Sequence, residues 1–360
     1  MDTNPLQQLR FGILSAADIA VAVTEAIHES PLATVVAVAA RDIKKAEKFA
    51  KDNNIPRSYG SYQELIDDKE VDAVYLPIPT SLRTDWAIKA ARAGKHILVE
   101  KPLASAKEVR DMRKACRENN VLYMDNTMWV HHKRAIQIKS KYLSSESFKL
   151  RKVLSSLTFN GMSKYPDKEI RFNPELEPFG ALGDLGWYNI RKSLWAFDYE
   201  LPVSVIATAS IDKQTGAIMD VDAILQFSND RSAVFTNSMR ESNRQWVDLI
   251  SEEQCIHVDR FVGPAKRNGR NECSYTVENK GDADTLETID VEECKQETEV
   301  INDFSKEARE PLGESALRWG DESEKTMIVL DAVYESIKSR GEKVFIRGDG
   351  GDQNLLMVGQ

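Results

Sequence analysis

Two short segments of the chain carry side chains that could hold or move a proton. The first is Glu100-Lys101-Pro102, which follows an apolar run that begins at His96. The run predicts a buried strand, and ligands of an open parallel sheet bind at the carboxyl ends of its strands, where Lys101 would lie. Pro102 favours an extended backbone at Lys101 and would hold the ammonium in place. The alternative is a solvated lysine that happens to precede a proline.

The second segment is rich in glycine and leads into an apolar run that predicts a helix beginning near Asp184. Its glycines allow other parts of the chain to approach the first turn closely. Asp184 and Tyr188 are four residues apart, so that on a helix a carboxylate and a phenol share one face. The alternatives are a helix cap for Asp184 and a buried aromatic core position for Tyr188.

The turn after the first predicted strand is where a dinucleotide-binding fingerprint would lie. It reads Ser15-Ala16-Ala17-Asp18-Ile19-Ala20. The three positions that usually hold glycine are occupied by Ser15, Ala17 and Ala20. These residues are small enough to let the amino end of the following helix approach a pyrophosphate. The turn therefore indicates a cofactor site, although it lacks the fingerprint glycines.

Two further predicted strand ends add to this indication. Arg41 follows the second strand, where NAD-specific domains usually present an acidic residue to the ribose, and an arginine suits the 2′-phosphate of NADP. The alternative for Arg41 is an ion pair with Asp42. Pro79 and Thr80 lie in a loop that would flank the nicotinamide. Thr80 or Ser81 would also cap the next helix.

Up to about residue 130, short apolar runs alternate with amphipathic segments. The predicted strands are Leu9–Leu14, Thr34–Ala40, Val71–Leu76, the run ending at Lys101, and Leu122–Met124, and the predicted helices are Asp18–Glu29, Ile43–Asp52, Ser81–Ala93 and Ser105–Asn119. This alternation is typical of an α/β domain with a Rossmann-type, doubly wound parallel sheet. Residues 1–130 are therefore predicted to form a dinucleotide-binding domain.

Beyond residue 130, predicted strands follow one another with few helices between them. They are Lys152–Phe159, Val203–Ile211, Ala223–Phe227, Ala233–Ser238, Trp246–Ser251, Cys255–Phe261, Ser274–Val277, Thr288–Val291 and Lys343–Ile346. Such a succession predicts a C-terminal α+β domain, residues 131–347, with a large, mainly antiparallel open sheet. Residues 263–270 are predicted to be a solvated loop, 322–339 a long helix and 348–360 a flexible tail.

Composition narrows the possible classes of function. The 360 residues are 42% hydrophobic and 29% charged, which is typical of a globular protein with more than one core. A net charge of −9 disfavours nucleic acid as a partner. The four cysteines form no CxxC pair and no histidine lies at metal-ligand spacing, so we expect reduced thiols and no metal. With no export signal or membrane-length apolar run, a soluble, cytoplasmic protein is expected.

These segments resemble the Gfo/Idh/MocA family, named after glucose-fructose oxidoreductase, inositol dehydrogenase and a rhizopine-catabolism protein. The similarity covers nearly the whole chain, and its most specific marks are Glu100-Lys101-Pro102 and Gly183-Asp184-x-Gly186-x-Tyr188. Tyrosine where many members have histidine is typical of the branch of dimeric dihydrodiol dehydrogenase and D-xylose dehydrogenase. Within it the chain is similar to plant-type oxidoreductases that share Thr127-Met128-Trp129-Val130-His131 and Gly180-Ala181-Leu182-Gly183-Asp184.

The resemblance implies hydride transfer between NADP, rather than NAD, and a sugar-like or cyclic alcohol or carbonyl compound. Lys101 and Tyr188 would be the catalytic pair, with Asp184 in support. About one tyrosine phenol in a thousand is ionised at pH 7, and a fixed ammonium favours the phenolate. Tyr188 would then take or give the hydroxyl proton as the hydride moves.

The same resemblance implies further contacts. The cofactor would be bound by Ser15, Ala16, Ala17, Asp18, Ile19, Arg41, Pro79, Thr80, Glu100 and Lys101, and the substrate by Trp129, His131 and Trp187. A homodimer would bury the exposed face of the second-domain sheet. Arg83 stands where relatives often have histidine, and His131-His132-Lys133-Arg134 replaces a proline-containing continuation. Both departures are expected near the substrate mouth and favour a changed substrate.

Two alternatives remain open at this stage. One keeps the catalytic residues but reduces a less polar ketone, imine or enone, to which an aromatic set could contribute: Trp129, Phe159, Tyr165, Phe172, Phe179 and Trp187. The other is a cofactor-binding sensor or scaffold that does not turn over. Binding alone requires neither Lys101 nor Tyr188, so their presence argues against the sensor.

Overall fold

The computed structural model describes residues 8–161, 170–264, 266–267, 270–271, 273–279, 285–347 and 356–358. Backbone contacts divide the chain into two compact units. The first contains Met1–His131 and Lys295–Glu324, and the second contains His132–Cys294 and Lys325–Gln360. The sequence-based division assigns residues 295–324 to the second domain, whereas the contacts group them with the first unit.

The first unit contains a six-stranded parallel sheet. Its strands are β1 (Leu9–Leu14), β2 (Ala33–Ala39), β3 (Arg57–Tyr59), β4 (Ala73–Leu76), β5 (His96–Val99) and β6 (Tyr123–Asp125), in the spatial order β3-β2-β1-β4-β5-β6. Neighbouring strands are parallel throughout this sheet. The order reverses between β1 and β4, which is the switch point where ligands bind in such sheets. The predicted Rossmann-type sheet is confirmed.

The connecting helices are α1 (Asp18–Glu29), α2 (Ile43–Asp52), α3 (Tyr62–Asp67), α4 (Thr80–Arg92) and α5 (Ala106–Glu118). Asp42, Ser61 and Ser105 each accept a hydrogen bond from a backbone N–H at the start of α2, α3 and α5. These caps satisfy donors that a helix leaves unpaired at its amino end. The sequence did not predict β3 and α3, because their three and six residues are too short for a clear period.

The second unit is built on a ten-stranded sheet. Its strands lie in the order β16-β15-β12-β11-β7-β10-β9-β8-β17-β18. Their bounds, with those of the separate hairpin β13 and β14, are β7 Leu150–Thr158, β8 Ser204–Ile211, β9 Ile218–Gln226, β10 Ser232–Ser238, β11 Arg244–Ser251, β12 Gln254–Asp259, β13 Lys266–Arg267, β14 Arg270–Asn271, β15 Tyr275–Asn279, β16 Leu286–Ile289, β17 Val344–Ile346 and β18 Leu356–Val358. Neighbours are antiparallel except β7 and β10. The predicted mainly antiparallel sheet is confirmed.

Two segments that were predicted to be irregular contain strands. The predicted solvated loop 263–270 supplies β13 and one residue of β14, which pair as an antiparallel hairpin. In the predicted flexible tail, residues 356–358 form β18 and pair with β17. The rest of the tail after residue 347 lies outside the described residues, as does Tyr165.

The later helices are α6 (Lys133–Ile138) and α7 (Trp187–Ala196) in the second unit, α8 (Gln296–Glu307) in the first, and α9 (Glu314–Lys338). Shorter helical turns cover Met128–His131, Lys139–Leu143, Ile170–Phe172 and Leu182–Gly186. Helix α8 was not predicted, although Val300, Ile301 and Phe304 recur at helical spacing. The ring of Phe304 packs 5.3 Å from that of Phe11 in β1, so α8 completes the core of the parallel sheet.

An apolar row crosses four central strands of the ten-stranded sheet. Ile206 pairs with Ile224, Ile224 with Val234, and Val234 with Leu154. The side chains of Ile206 and Ile224 are 36% and 46% exposed. The row lines an open depression of about 410 Å³. We call these four residues the apolar sheet row.

The structure contains four free thiols, at Cys116, Cys255, Cys273 and Cys294. Among the residues that the structure describes, no three histidine, cysteine or acidic side chains are arranged to hold a metal ion. No helix within the described ranges has the length and apolar character needed to cross a membrane.

Candidate functional site

The predicted cofactor residues follow four adjacent strands of the parallel sheet. Ser15 to Ile19 follow β1, Arg41 follows β2, Pro79 and Thr80 follow β4, and Glu100 and Lys101 follow β5. These strands are neighbours in the order β2-β1-β4-β5. Because parallel strands end at the same edge of a sheet, the structure brings all of these residues to one edge, around the switch point.

The turn between β1 and α1 has the backbone of a glycine loop without a glycine. Ser15 has a φ of 146°, which glycine adopts readily and other residues adopt rarely. The N-cap of α1 is Ala17, whose side chain offers no acceptor to the first N–H groups of the helix. Those groups can donate to a phosphate, and the helix dipole favours an anion there. A pyrophosphate therefore fits this loop, although the exposed Asp18 places a carboxylate in the same turn.

Arg41 and Asp42 have separate roles at the end of β2. The Asp42 carboxylate accepts a hydrogen bond from the Lys44 N–H at 3.0 Å and caps α2. The Arg41 side chain is exposed, and within the part of the chain that the structure describes no hydrogen bond or ion pair engages it. The alternative of an Arg41–Asp42 ion pair is therefore not what the structure has. The guanidinium can reach a ligand at this edge.

The loop after β4 does not use its hydroxyls as helix caps. The N-cap of α4 is Pro79, without a side-chain cap bond, and Thr80 is the first helical residue. Thr80 is fully buried, and its hydroxyl donates to the Pro102 carbonyl at 3.4 Å. The predicted capping role of Thr80 or Ser81 is therefore wrong, because the Thr80 hydroxyl turns toward the chain that follows β5.

Arg83 occupies the interior of the first unit rather than a substrate mouth. Its side chain lies in α4 and is 6% exposed. The Nε group donates to the Ile78 carbonyl at 2.7 Å, and Nη1 donates to Thr80 Oγ1 at 2.9 Å and to the Pro102 carbonyl. The sequence-based expectation places this departure near the substrate mouth, whereas in the structure the Arg83 side chain is buried against the chain that follows β5. The arginine three residues after Thr80 was visible in the sequence, but its burial and its acceptors were not.

A buried hydrogen-bond network holds Glu100. Glu100 is 7% exposed, and its carboxylate accepts from the Tyr75 hydroxyl at 2.5 Å and from Asn126 Nδ2 at 2.6 Å. Burial, followed by the Glu100 charge, raises the pKa of Tyr75 well above its usual value, so this phenol stays protonated and donates. Sequence reasoning missed Tyr75 and Asn126. Both stand at or just after strand ends, which was the available signal.

Lys101 is half-buried and directly follows the buried Glu100. Its peptide bond to Pro102 is cis. The Pro102 carbonyl accepts from both Thr80 and Arg83, so the backbone beside Lys101 is tied to the loop after β4. Within the first unit, the structure therefore brings together Pro79, Thr80, Glu100 and Lys101 of the predicted set.

Asp184 lies in a π-helical turn, Leu182–Gly186, that runs directly into α7. Its Oδ2 pairs with Arg171 Nε at 2.8 Å, and its side chain is 16% exposed. Asp184 therefore holds Arg171 and is not the helix cap of the alternative interpretation. The ion pair fixes the carboxylate at the start of the helix that carries Tyr188. No pattern in the sequence identified Arg171 as its partner.

Tyr188 belongs to the second unit and is the second residue of α7, 6% exposed. Close packing holds the turn before it. Gly180 has a φ of +48°, and a Cβ there would lie 2.4 Å from the Ile218 carbonyl oxygen. A Cβ on Gly186 would lie 2.9 Å from Leu182 and 3.3 Å from Asn237. The prediction that glycines allow close approach to this turn is confirmed.

The three predicted substrate residues are all buried. Trp129 and Trp187 are 1% and 0% exposed. His131 is 2% exposed, pairs through Nδ1 with Asp303 at 2.8 Å and stacks on Trp319 with ring centroids 4.5 Å apart. These three side chains therefore pack in the interior of their units. Of the aromatic set, Phe159 and Phe172 are only half-buried.

The chain matches two family descriptions. Residues 9–127 match "Oxidoreductase family, NAD-binding Rossmann fold" of the Gfo/Idh/MocA group, and residues 149–258 match its "C-terminal domain". The first match contains the strand ends described above, and the second contains the segment with Asp184 and Tyr188.

Similar proteins that cover most of this chain are also oxidoreductases by name. A trans-1,2-dihydrobenzene-1,2-diol dehydrogenase of Danio rerio is 35% identical over 69% of this chain and 74% of its own length. An NADP(+)-dependent D-xylose 1-dehydrogenase of Haloferax volcanii is 28% identical over 92% of this chain and 98% of its own. A solved structure, the 3-ketoreductase KijD10 of Actinomadura kijaniata with NADP and TDP-benzene, superimposes with a TM-score of 0.80 at 23% identity, over 92% and 98% of the two chains.

Proposed function

Because the chain belongs to the Gfo/Idh/MocA oxidoreductase family, we propose that it transfers a hydride between NADP and a sugar-like or cyclic alcohol or carbonyl substrate. The observation that carries this proposal is the convergence of loops from β2, β1, β4 and β5 on one sheet edge, with main-chain donors at the start of α1. The named relatives, a D-xylose dehydrogenase and a dihydrodiol dehydrogenase, support the substrate class.

The proposed preference for NADP depends on Arg41. Its exposed guanidinium follows β2, where the adenosine ribose of a dinucleotide binds in Rossmann domains. A guanidinium forms paired, charge-assisted hydrogen bonds with a phosphate, whereas NAD offers only a hydroxyl at that point. Asp42 does not compete for this place, because its carboxylate caps α2. The dinucleotide pyrophosphate is proposed to lie at Ser15 to Ile19.

Tyr188 is proposed as the general acid and base. In oxidation its oxygen takes the hydroxyl proton of the substrate while hydride leaves the same carbon, and in reduction it returns that proton. The cofactor, when bound, accepts or supplies the hydride. The ammonium of Lys101 is proposed to favour the phenolate of Tyr188 and so to bring its pKa closer to neutral pH. Asp184, fixed by Arg171, is proposed to support Tyr188.

We propose that three buried side chains affect substrate binding indirectly, by fixing the packing around the site. They are Trp129, His131 and Trp187. All three are nearly fully buried. For His131, the Asp303 carboxylate and the Trp319 ring fix the plane of the imidazole. A substitution at these positions is therefore expected to change the KM for substrate through repacking.

We propose a homodimer through the apolar sheet row. Apolar side chains that are 36% and 46% exposed in the middle of a sheet favour association in water. Light scattering is expected to give twice the chain mass of 40.6 kDa. Ile224→Lys should produce the monomer, whereas Ile136→Lys, at a 53% exposed position in α6, should not. A wild-type monomer would contradict the dimer.

The function is tested by following absorbance of the reduced nicotinamide with NADP and NAD in parallel, against pentoses, hexoses, cyclic diols and small or hydrophobic ketones. Turnover with a sugar or cyclic diol and a preference for NADP is expected. Arg41→Met should lower that preference roughly 10- to 100-fold, the value of a charge-assisted hydrogen bond. Arg117→Met, at an exposed position in α5, is the control.

Two outcomes would contradict this proposal. Turnover of hydrophobic carbonyls alone would replace the substrate class. Binding of NADPH without turnover of any compound would instead favour the sensor that the sequence leaves open.

A further inference from the structure

Arg83 connects two loops that follow neighbouring strands. Its donors reach the Ile78 carbonyl and Thr80 Oγ1 after β4, and the Pro102 carbonyl after β5. Strands β4 and β5 are adjacent and parallel. One side chain therefore sets the separation of the two loops at the edge where the cofactor residues converge.

The shape of the guanidinium makes this connection specific. Arginine presents five N–H donors in a rigid plane, whereas lysine presents three on a flexible stem and methionine presents none. At 6% exposure, water has little access to replace a lost donor. Loss of Arg83 would take one donor from the buried Thr80 hydroxyl and one from the Pro102 carbonyl, whose bond from Thr80 is long at 3.4 Å.

The charge of Arg83 also belongs to this arrangement. The nearby Glu100 carboxylate is buried and raises the pKa of Tyr75, and Arg83 acts in the opposite direction on the same phenol. The two charges therefore oppose each other at this buried phenol, and removal of Arg83 would upset that balance. Glu100 immediately precedes Lys101, so this charge balance lies one peptide from the proposed catalytic ammonium.

We propose that Arg83 is a positioning residue for Lys101, holding the Pro102 carbonyl and thereby the backbone from which the ammonium projects. The inference depends on the role of Lys101 in the proposed function. It gives Arg83 a task at the sheet edge where the predicted cofactor residues converge.

Arg83→Met removes both the planar set of N–H donors and the positive charge. Arg83→Lys removes the planar set of donors but keeps the charge. A shift of about 1 Å in a catalytic group can reduce a rate about 100-fold, so kcat of Arg83→Met is expected to fall about 10- to 100-fold. In the direction of alcohol oxidation, kcat should recover in part at alkaline pH, because a phenol without its ammonium ionises nearer its usual pKa of about 10. Arg83→Lys should show the same shift with a smaller loss. Arg92→Met, at an exposed position in the last turn of α4, should behave like the wild type.

A second measurement does not depend on turnover. Lysines are reductively methylated with ¹³C, and the Lys101 signal is identified by its absence in Lys101→Arg. Its chemical shift and titration midpoint should change in both Arg83 variants and stay constant in Arg92→Met. Circular dichroism at the assay temperature checks that each variant is folded, and Arg83→Lys decides the question if Arg83→Met does not fold.

An unchanged Lys101 signal together with an unchanged pH profile would overturn the inference. A lower melting temperature without these shifts would also overturn it, since that is the result of a purely structural arginine. Failure of the proposed function looks different: the wild type then turns over no compound in the panel, while the Lys101 signal still decides whether Arg83 positions this side chain.

Discussion

The two units hold their proposed catalytic side chains by different means. In the first unit, the turn that carries Lys101 is surrounded by directional hydrogen bonds from Arg83, Thr80, Tyr75 and Asn126. In the second unit, the turn before Tyr188 is fixed mainly by steric fit, with backbone atoms where a side chain of Gly180 would lie. A substitution in a polar network can remove a single hydrogen-bond donor and leave the others in place. At a close backbone contact, any added side chain overlaps with its neighbour.

This difference has a consequence for substitutions. Changes in the polar network of the first unit should alter the reaction more than the free energy of unfolding. Changes at the close contacts of the second unit should alter the free energy of unfolding first, since an interior at native density transmits an overlap to its neighbours.

The largest effect on kcat is expected at the two proposed catalytic side chains, Tyr188 and Lys101. Tyr188→Phe removes the proton carrier and should lower kcat about 10²- to 10⁴-fold, the usual contribution of general acid–base catalysis. Lys101→Met removes the ammonium and should lower kcat with a partial recovery at high pH. Steady-state kinetics with the best substrate of the panel measure both.

Tyr334→Phe is the control for the hydroxyl deletion, because Tyr334 lies in α9 outside the proposed machinery. An unchanged kcat in Tyr188→Phe would show that Tyr188 does not carry the proton. The turn before Tyr188 would then hold no catalytic side chain.

The next largest effect is expected at Gly180. An alanine there takes a φ of +48° and places its Cβ 2.4 Å from the Ile218 carbonyl oxygen, so that strain and overlap add. The free energy of unfolding should fall by about 3 kcal/mol or more. Gly94→Ala, in the first unit, has a φ of +75° with open space around the Cβ, and should lose only about 1–2 kcal/mol.

Urea denaturation of both glycine variants gives the comparison directly. Equal losses would mean that backbone strain alone matters, and that packing at Ile218 adds nothing to the second unit.

Each unit also contains an imidazole that should make stability depend on pH: His96 in the first unit is half-buried, and His132 in the second is buried. Burial lowers the pKa of His96 to about 4, and its Nδ1 accepts from the Leu122 N–H at 3.0 Å. Burial and the charge of Arg134 lower the pKa of His132 to about 4 as well. The unfolded chain, with a pKa of about 6.5, binds the proton more tightly, so stability is complete above pH 6.5 and is lost as pH falls toward 4.

Each histidine should contribute up to about 3 kcal/mol to that loss, from 1.36 kcal/mol for each pKa unit. Urea unfolding between pH 7.5 and 4 measures it, and His96→Gln and His132→Gln should each flatten the profile. His28→Gln, at an exposed position, is the control. A wild-type profile that is flat from pH 6.5 to 4 would contradict both assignments.

The smallest effect is expected at Ser15. Its φ of 146° costs a serine more than a glycine, so Ser15→Gly should raise the free energy of unfolding by about 1 kcal/mol after the greater freedom of glycine in the unfolded chain is subtracted. Ser144→Gly, at an exposed position with a φ of −86°, should instead lower it. Urea denaturation with and without NADPH tests whether the loop keeps its shape for the cofactor. A destabilised Ser15→Gly would contradict strain at this turn.

Much of the first unit could be predicted from the sequence. Residues 9–14, 18–29 and 43–52 have the predicted bounds, because each apolar run or amphipathic segment is long enough to show its period. The strand ends that carry Ser15, Arg41, Thr80 and Lys101 followed from the same pattern. Helix α8 was missed, since it completes a core that begins about 290 residues earlier in the chain and only tertiary contacts assign it there.

The sequence by itself determined the residue types at these strand ends, the alternation of strands and helices, and the four-residue spacing of Asp184 and Tyr188. These features are local, and local periodicity and turn chemistry are legible in a chain. Only the tertiary structure decided that Arg83 is buried on the Pro102 carbonyl, that Asp184 pairs with Arg171, and that Asp42 caps a helix instead of pairing with Arg41. Such choices depend on which acceptor comes within about 3 Å, and packing of the whole unit sets that distance.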